Sequence, residues 1–121
     1  MPQYHDTLQE LRQPTRSLRH AVPDTWASFL ALHEAAMADG EVPARLKEAT
    51  ALAISVARQC DGCIAHHARA AARAGASPGE VAEVLGVALL MDGGVASVYA
   101  PRAWAAYLEF SGTAPSSDDG G

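Results

Sequence analysis

The stretch EATALAISVARQCDGCIAHH, Glu48 to His67, carries both cysteines of the chain, Cys60 and Cys63, in a C-x-x-C. Two histidines, His66 and His67, stand just behind them. Upstream, Leu46, Ala49, Leu52, Ala53 and Val56 recur at helical spacing, so residues 43–59 read as a helix opened by Pro43. Glu48 lies four residues before Leu52 and therefore borders the apolar face instead of pointing cleanly to water. Asp61-Gly62 makes the connection to a second helix, 61–74, whose Ala65, Ala68, Ala71 and Ala72 let a neighbouring helix approach closely. The stretch is thus two helices joined at a cysteine pair.

On a helix, Cys60, Cys63 and His67 form one stripe, because residues three and four apart share a side. A disulfide needs Cα atoms roughly 4.4–6.8 Å apart, which a C-x-x-C at a helix start can meet. The helix N-terminus also favours thiolate. Asp61 opposes this and is expected to face solvent. At roughly 100° per residue, His67 is displaced about 40° from Cys63 and His66 about 60° the other way, so His67 is better placed. Blander readings exist. Free cysteines often fill apolar cores. Cys60, Cys63, Glu48 and either histidine supply zinc-type donors, but strong zinc signatures carry a second distant Cys or His pair, and none is present. Haem attachment needs a histidine directly after the second cysteine, where Ile64 stands. A thioredoxin fold needs a βαβ pattern, and no period-two alternation appears.

Working outward, Gly75 is a C-cap glycine. Ser77-Pro78-Gly79-Glu80 is a capping box that opens a helix over 78–91, with Val81, Val84, Leu85, Ala88, Leu89 and Met91 on its apolar side. Gly93-Gly94 ends it. A last helix, 95–110, carries Val98, Tyr99, Trp104, Tyr107 and Leu108, and Pro101 is expected to kink or restart it. Toward the N-terminus, Trp26, Phe29, Leu30, His33 and Met37 define an amphipathic helix over 24–38. A short helix is expected over 4–12, ended by Pro14, with a turn or linker to 21. The domain plan is therefore a short helical segment (1–21), a core domain (22–111) and a disordered polar tail (112–121). His33 reads as a surface or half-buried histidine, and His5 and His20 as residues of weakly ordered regions.

The 121 residues suggest one domain, and 49% hydrophobic content with 19% charged residues is a globular composition. A net charge of −5 argues against nonspecific nucleic-acid binding. No apolar run reaches the roughly 20 residues a membrane span needs, and the N-terminus has no apolar signal-peptide core. A cytoplasmic protein is expected, where a cysteine pair is more often redox-active or metal-binding than a staple. A short chain rich in small apolar residues is also expected to self-associate, with Tyr99, Trp104 and Tyr107 as candidate contacts.

Glu48, Cys60-x-x-Cys63 and His67 together resemble the motif of the alkyl hydroperoxidase D-like (AhpD-like) branch of the carboxymuconolactone decarboxylase family. Asp39-Gly40, Lys47-Glu48, Gly75-Ala76 and Gly93-Gly94 agree, and the resemblance spans about residues 22–110. It implies an all-α bundle of about six helices in a homo-oligomer, commonly a trimer or hexamer. It implies cofactor-free, metal-free reduction of hydroperoxides, or disulfide exchange, with an external thiol or dithiol as donor. Cys63 would then react with peroxide, Cys60 would resolve it as the redox-active disulfide, and His67 and Glu48 would relay protons, with His66 as a possible auxiliary. A non-enzymatic redox- or metal-sensing oligomer and a lactone decarboxylase are the alternatives. One departure is visible: peroxidase members carry a histidine directly before the second cysteine, and here that position is Gly62.

Overall fold

A computed structural model of the chain describes residues 3–112. Six helices follow one another: α1 (Gln3–Ala21), α2 (Pro23–Met37), α3 (Ala44–Ala57), α4 (Asp61–Ala74), α5 (Pro78–Asp92) and α6 (Gly94–Ser111). No strand occurs among the described residues, and none of their helices is long and apolar enough to cross a membrane.

Helices α3 to α6 pack on one another and enclose the core. Leu52, Val56, Ile64, Val81 and Tyr107 are its largest fully buried side chains. Each such aliphatic residue contributes about 1.5–3 kcal/mol by leaving water. Alanines fill the rest: Ala65, Ala68 and Ala71 on α4, and Ala96, Ala103 and Ala106 on α6, are wholly buried. Small side chains bring α4 close to α6, which fixes the start of α4 and hence the cysteine pair. Tyr107 donates its hydroxyl to the Ala76 carbonyl at 2.6 Å, tying α6 to the α4–α5 turn.

The termini of these helices follow the local chemistry. Gly75 has φ 91, and the N–H groups of Gly75 and Ala76 return to the carbonyls of Ala72 and Ala71. The capping box forms, with Ser77 Oγ accepting from Glu80 N–H and Glu80 accepting from Ser77 N–H. Asp39 Oδ1 accepts from Ala44 N–H at 2.7 Å and so caps α3 from the preceding loop.

Several expectations need correction. Pro14 does not end the first helix: α1 is continuous from Gln3 to Ala21. Proline removes the hydrogen bond to the carbonyl four residues back, here Glu10. Both residues are exposed, so water can serve that carbonyl. The same holds at Pro101, where α6 runs on past the exposed Ser97. The break falls instead at Val22, because the residue before Pro23 is pushed out of the helical region. His5 and His20 therefore lie within a regular helix. Helix α2 has no buried residue, and Phe29 and Leu32 are 55% and 66% exposed. Leu89 and Met91 are exposed, not core. Tyr107 is buried and cannot be a contact surface. The expectation for the tail lies outside the described residues, apart from Gly112, which closes α6 with φ 75.

Helix α1 lies across the bundle and touches α4 and α6. Its N-terminus is held by Glu109 of α6, which accepts from the backbone N–H groups of Tyr4 (3.2 Å) and His5 (2.9 Å) and pairs with the His5 ring. Tyr4 is buried beside it. A carboxylate at a helix N-terminus satisfies free N–H groups and complements the helix dipole.

Candidate active site

The cysteine pair is placed by the way α3 ends. Gln59 adopts a left-handed backbone (φ 54), the only non-glycine residue to do so among the described residues. Its N–H returns to Val56 O, and Cys60 N–H returns to Ser55 O, the two bonds of a Schellman closure. The chain reverses within these residues, and Cys60 becomes the N-cap of α4. Its Sγ accepts from Cys63 N–H at 3.2 Å. Cys60 and Cys63 are joined as a disulfide, with Cα atoms 5.2 Å apart.

Behind the pair, α3 and α4 bring Glu48 and His67 together. Glu48 is 7% exposed, and its Oε1 lies 2.9 Å from His67 Nδ1. An ionised carboxylate only accepts, so Nδ1 carries the hydrogen. His67 Nε2 is then the basic nitrogen. His66 lies edge-on to His67, with ring centres 5.2 Å apart. Partial burial, then the neighbouring His67, Arg69 and His33, hold the His66 pKa below the ordinary histidine value.

A third imidazole joins them from α2. His33 stacks on His67 (6.3 Å, 21° between planes) and stands edge-on to His66 at 5.9 Å. Its Nε2 is buried and has no hydrogen-bond partner among the described residues. These side chains and the disulfide line an open groove of about 1090 Å³ between α1, α2 and the start of α4. Its apolar lining comes from Leu8 and Leu11 of α1 and from Trp26, Phe29 and Leu30 of α2. No group of three or more His, Cys, Asp or Glu side chains among the described residues is arranged to hold a metal.

The structure thus brings together Glu48, Cys60, Cys63 and His67, and puts His66 in the same groove. His33 was expected only as a surface or half-buried histidine; it is half-buried, and it stands beside His66 and His67 on the helix face it shares with Trp26, Phe29 and Leu30. Gly62 also has a structural meaning. A β-carbon there would lie 3.1 Å from Leu11 Cδ1, so α1 packs over the space a side chain at 62 would need.

The family model described as "Carboxymuconolactone decarboxylase family" matches residues 23–106. The chain belongs to this family. The carboxymuconolactone decarboxylase match begins at α2, so α1 stands outside it. A crystal structure of an apo carboxymuconolactone decarboxylase family protein from Legionella pneumophila superposes with a TM-score of 0.88 at 32% identity, covering 92% of this chain and 99% of that one. An uncharacterized protein of Cupriavidus necator is 36% identical over 98 residues, 81% of this chain and 87% of its own length. An uncharacterized protein from the cox locus of Paracoccus denitrificans is 36% identical over 85 residues, 70% of this chain and 77% of its own. The AhpD-like pattern within the family is the glutamate, C-x-x-C and histidine whose geometry is given above.

Proposed function

We propose that this protein is a dithiol–disulfide oxidoreductase that reduces hydroperoxides with electrons from an external thiol or dithiol. The observation that carries the reading is a C-x-x-C disulfide at a helix N-terminus, backed by a buried carboxylate–imidazole pair and open to an apolar groove. In the reduced state His67 takes the Cys63 proton at Nε2, and Glu48 stabilises the imidazolium. The Cys63 thiolate attacks the peroxide. The O–O bond breaks, the alcohol leaves with the proton from His67, and Cys63 becomes a sulfenic acid. Cys60, whose thiolate the Cys63 N–H would stabilise, attacks that sulfur. Water leaves and the disulfide forms. Two thiol equivalents from the donor then reduce it by exchange.

The working form is a homo-oligomer, trimeric or hexameric as the AhpD-like resemblance implies. Its support is the exposed apolar surface at the end of α5 and start of α6, where Leu90 and Met91 are 82% and 79% exposed.

The test is peroxide consumption by pre-reduced protein with several thiol donors, followed by mass spectrometry of both cysteines. Cys63→Ser is expected to abolish turnover, and Cys60→Ser to stall after one oxidation with Cys63 as sulfenic acid. His67→Ala should slow the reaction more at neutral than at high pH, where the thiol ionises unaided. Undiminished turnover in Cys63→Ser would overturn the reading.

A further inference from the structure

We propose that the groove beside the cysteine pair binds an amphipathic carboxylate, a fatty acyl chain that lies along the apolar walls with its anionic head at Arg12 and Arg69. This rests on the function proposed above for the identity of the reacting end, a hydroperoxide carried on the chain; the inference itself concerns binding.

Two observations converge. The walls offer apolar surface and leave it open: Leu11, Phe29 and Leu30 are 43%, 55% and 43% exposed. An acyl chain is the occupant that removes such surface from water without asking for hydrogen bonds. The same groove carries two guanidinium groups, Arg12 from α1 and Arg69 from α4. Neither makes an ion pair or hydrogen bond among the described residues. Arg69 is held below the usual arginine value by burial and by the charges of Arg73 and Arg12, the direction expected of clustered cations. Glu10 is the one aspartate or glutamate on the groove wall, and it pairs with neither arginine. A chain with a net charge of −5 has carboxylates to spare, yet it leaves this cleft basic. A guanidinium forks onto a carboxylate with two parallel hydrogen bonds, so an anionic head fits it. Apolar walls and two guanidinium groups without a partner among the described residues together describe a site for an amphipathic carboxylate.

The test is calorimetric titration of the oxidised full chain with octanoate and with its neutral analogue octanamide. Octanoate should bind saturably at one site per chain, with octanamide about tenfold weaker, a usual ratio for losing one charge-assisted contact. Arg69→Gln should remove that preference. Arg12→Gln, at an exposed position, should reduce it too and guards against misfolding of the first variant. Phe29→Ala should weaken both ligands together. Equal affinity for acid and amide, or an octanoate affinity untouched by both arginine changes, would overturn the proposal. So would no binding of either ligand, the result expected if a second copy of the chain covers the groove. No turnover is needed. A protein that prefers octanoate but consumes no peroxide would refute the oxidoreductase reading alone, and one that consumes peroxide with no preference for octanoate would refute this one alone.

Discussion

Gln59 holds a backbone conformation that costs a residue bearing a β-carbon about 1–2 kcal/mol. The cost is met where the chain must reverse to put Cys60 at the start of α4. Gln59→Gly should therefore raise stability in urea by about 0.5–1 kcal/mol, the strain relieved less the added freedom of the unfolded glycine. No gain would mean that the surroundings, not the β-carbon, set the turn. At His66 the sign is also fixed. Its folded pKa lies below the ordinary value, so it withholds stability as pH falls: the contribution is complete above the unfolded value and is lost as pH drops toward the folded one. NMR titration of the His66 ring should give a midpoint below that of a free histidine. His66→Gln should flatten this acid limb of the stability profile. Glu48, Cys60, Cys63, His66 and His67 were legible because they stand within one short stretch whose helical period can be counted. His33 was not. Its partners sit on another helix, and nothing in local spacing says which face of α2 turns toward α4.

Among the helices, the attachment of α1 depends on pH. Burial pushes the Glu109 carboxyl up, but the N–H groups of His5 and Tyr4 and the His5 side chain outweigh it and hold its pKa below the ordinary value. Stability from this contact is thus present above the unfolded glutamate pKa and is lost as pH falls through the folded one. Amide exchange at Tyr4 and His5 should accelerate over that acid range, and Glu109→Gln should accelerate it at every pH. Uniform protection in the variant would show that Tyr4 packing alone holds the helix. Two residues earlier on α6, Tyr107→Phe leaves the buried Ala76 carbonyl without its donor. It should cost about 1–3 kcal/mol in denaturant unfolding. Helix positions were largely legible because Gly75, the Ser77 box and the Gly93-Gly94 break act locally. Pro14 misled because a proline's effect depends on whether water can reach the carbonyl it abandons, which is a tertiary property.

For the molecule as a whole, the unsettled account is one of surface. On α5, Val87, Leu90 and Met91 stand 59%, 82% and 79% exposed. A chain of this size gains stability by covering such area with copies of itself. Sedimentation equilibrium at micromolar concentration should show an oligomer, and Leu90→Glu with Met91→Glu should shift it toward monomer; wild type running only as monomer would remove the expectation. This surface was misread in sequence because helical period reveals an apolar stripe without saying whether its partner belongs to the same chain. The Leu11–Gly62 contact has an evolutionary consequence. Positions 11 and 62 are far apart in sequence but share one volume, so a side chain at 62 requires Leu11 to give way by a few tenths of an ångström. A histidine introduced at 62 alone must displace the Leu11 side chain, whereas the same change beside a trimmed residue at 11 need not. Relatives that carry a histidine before the second cysteine should accordingly carry a smaller side chain, or a differently seated first helix, opposite it.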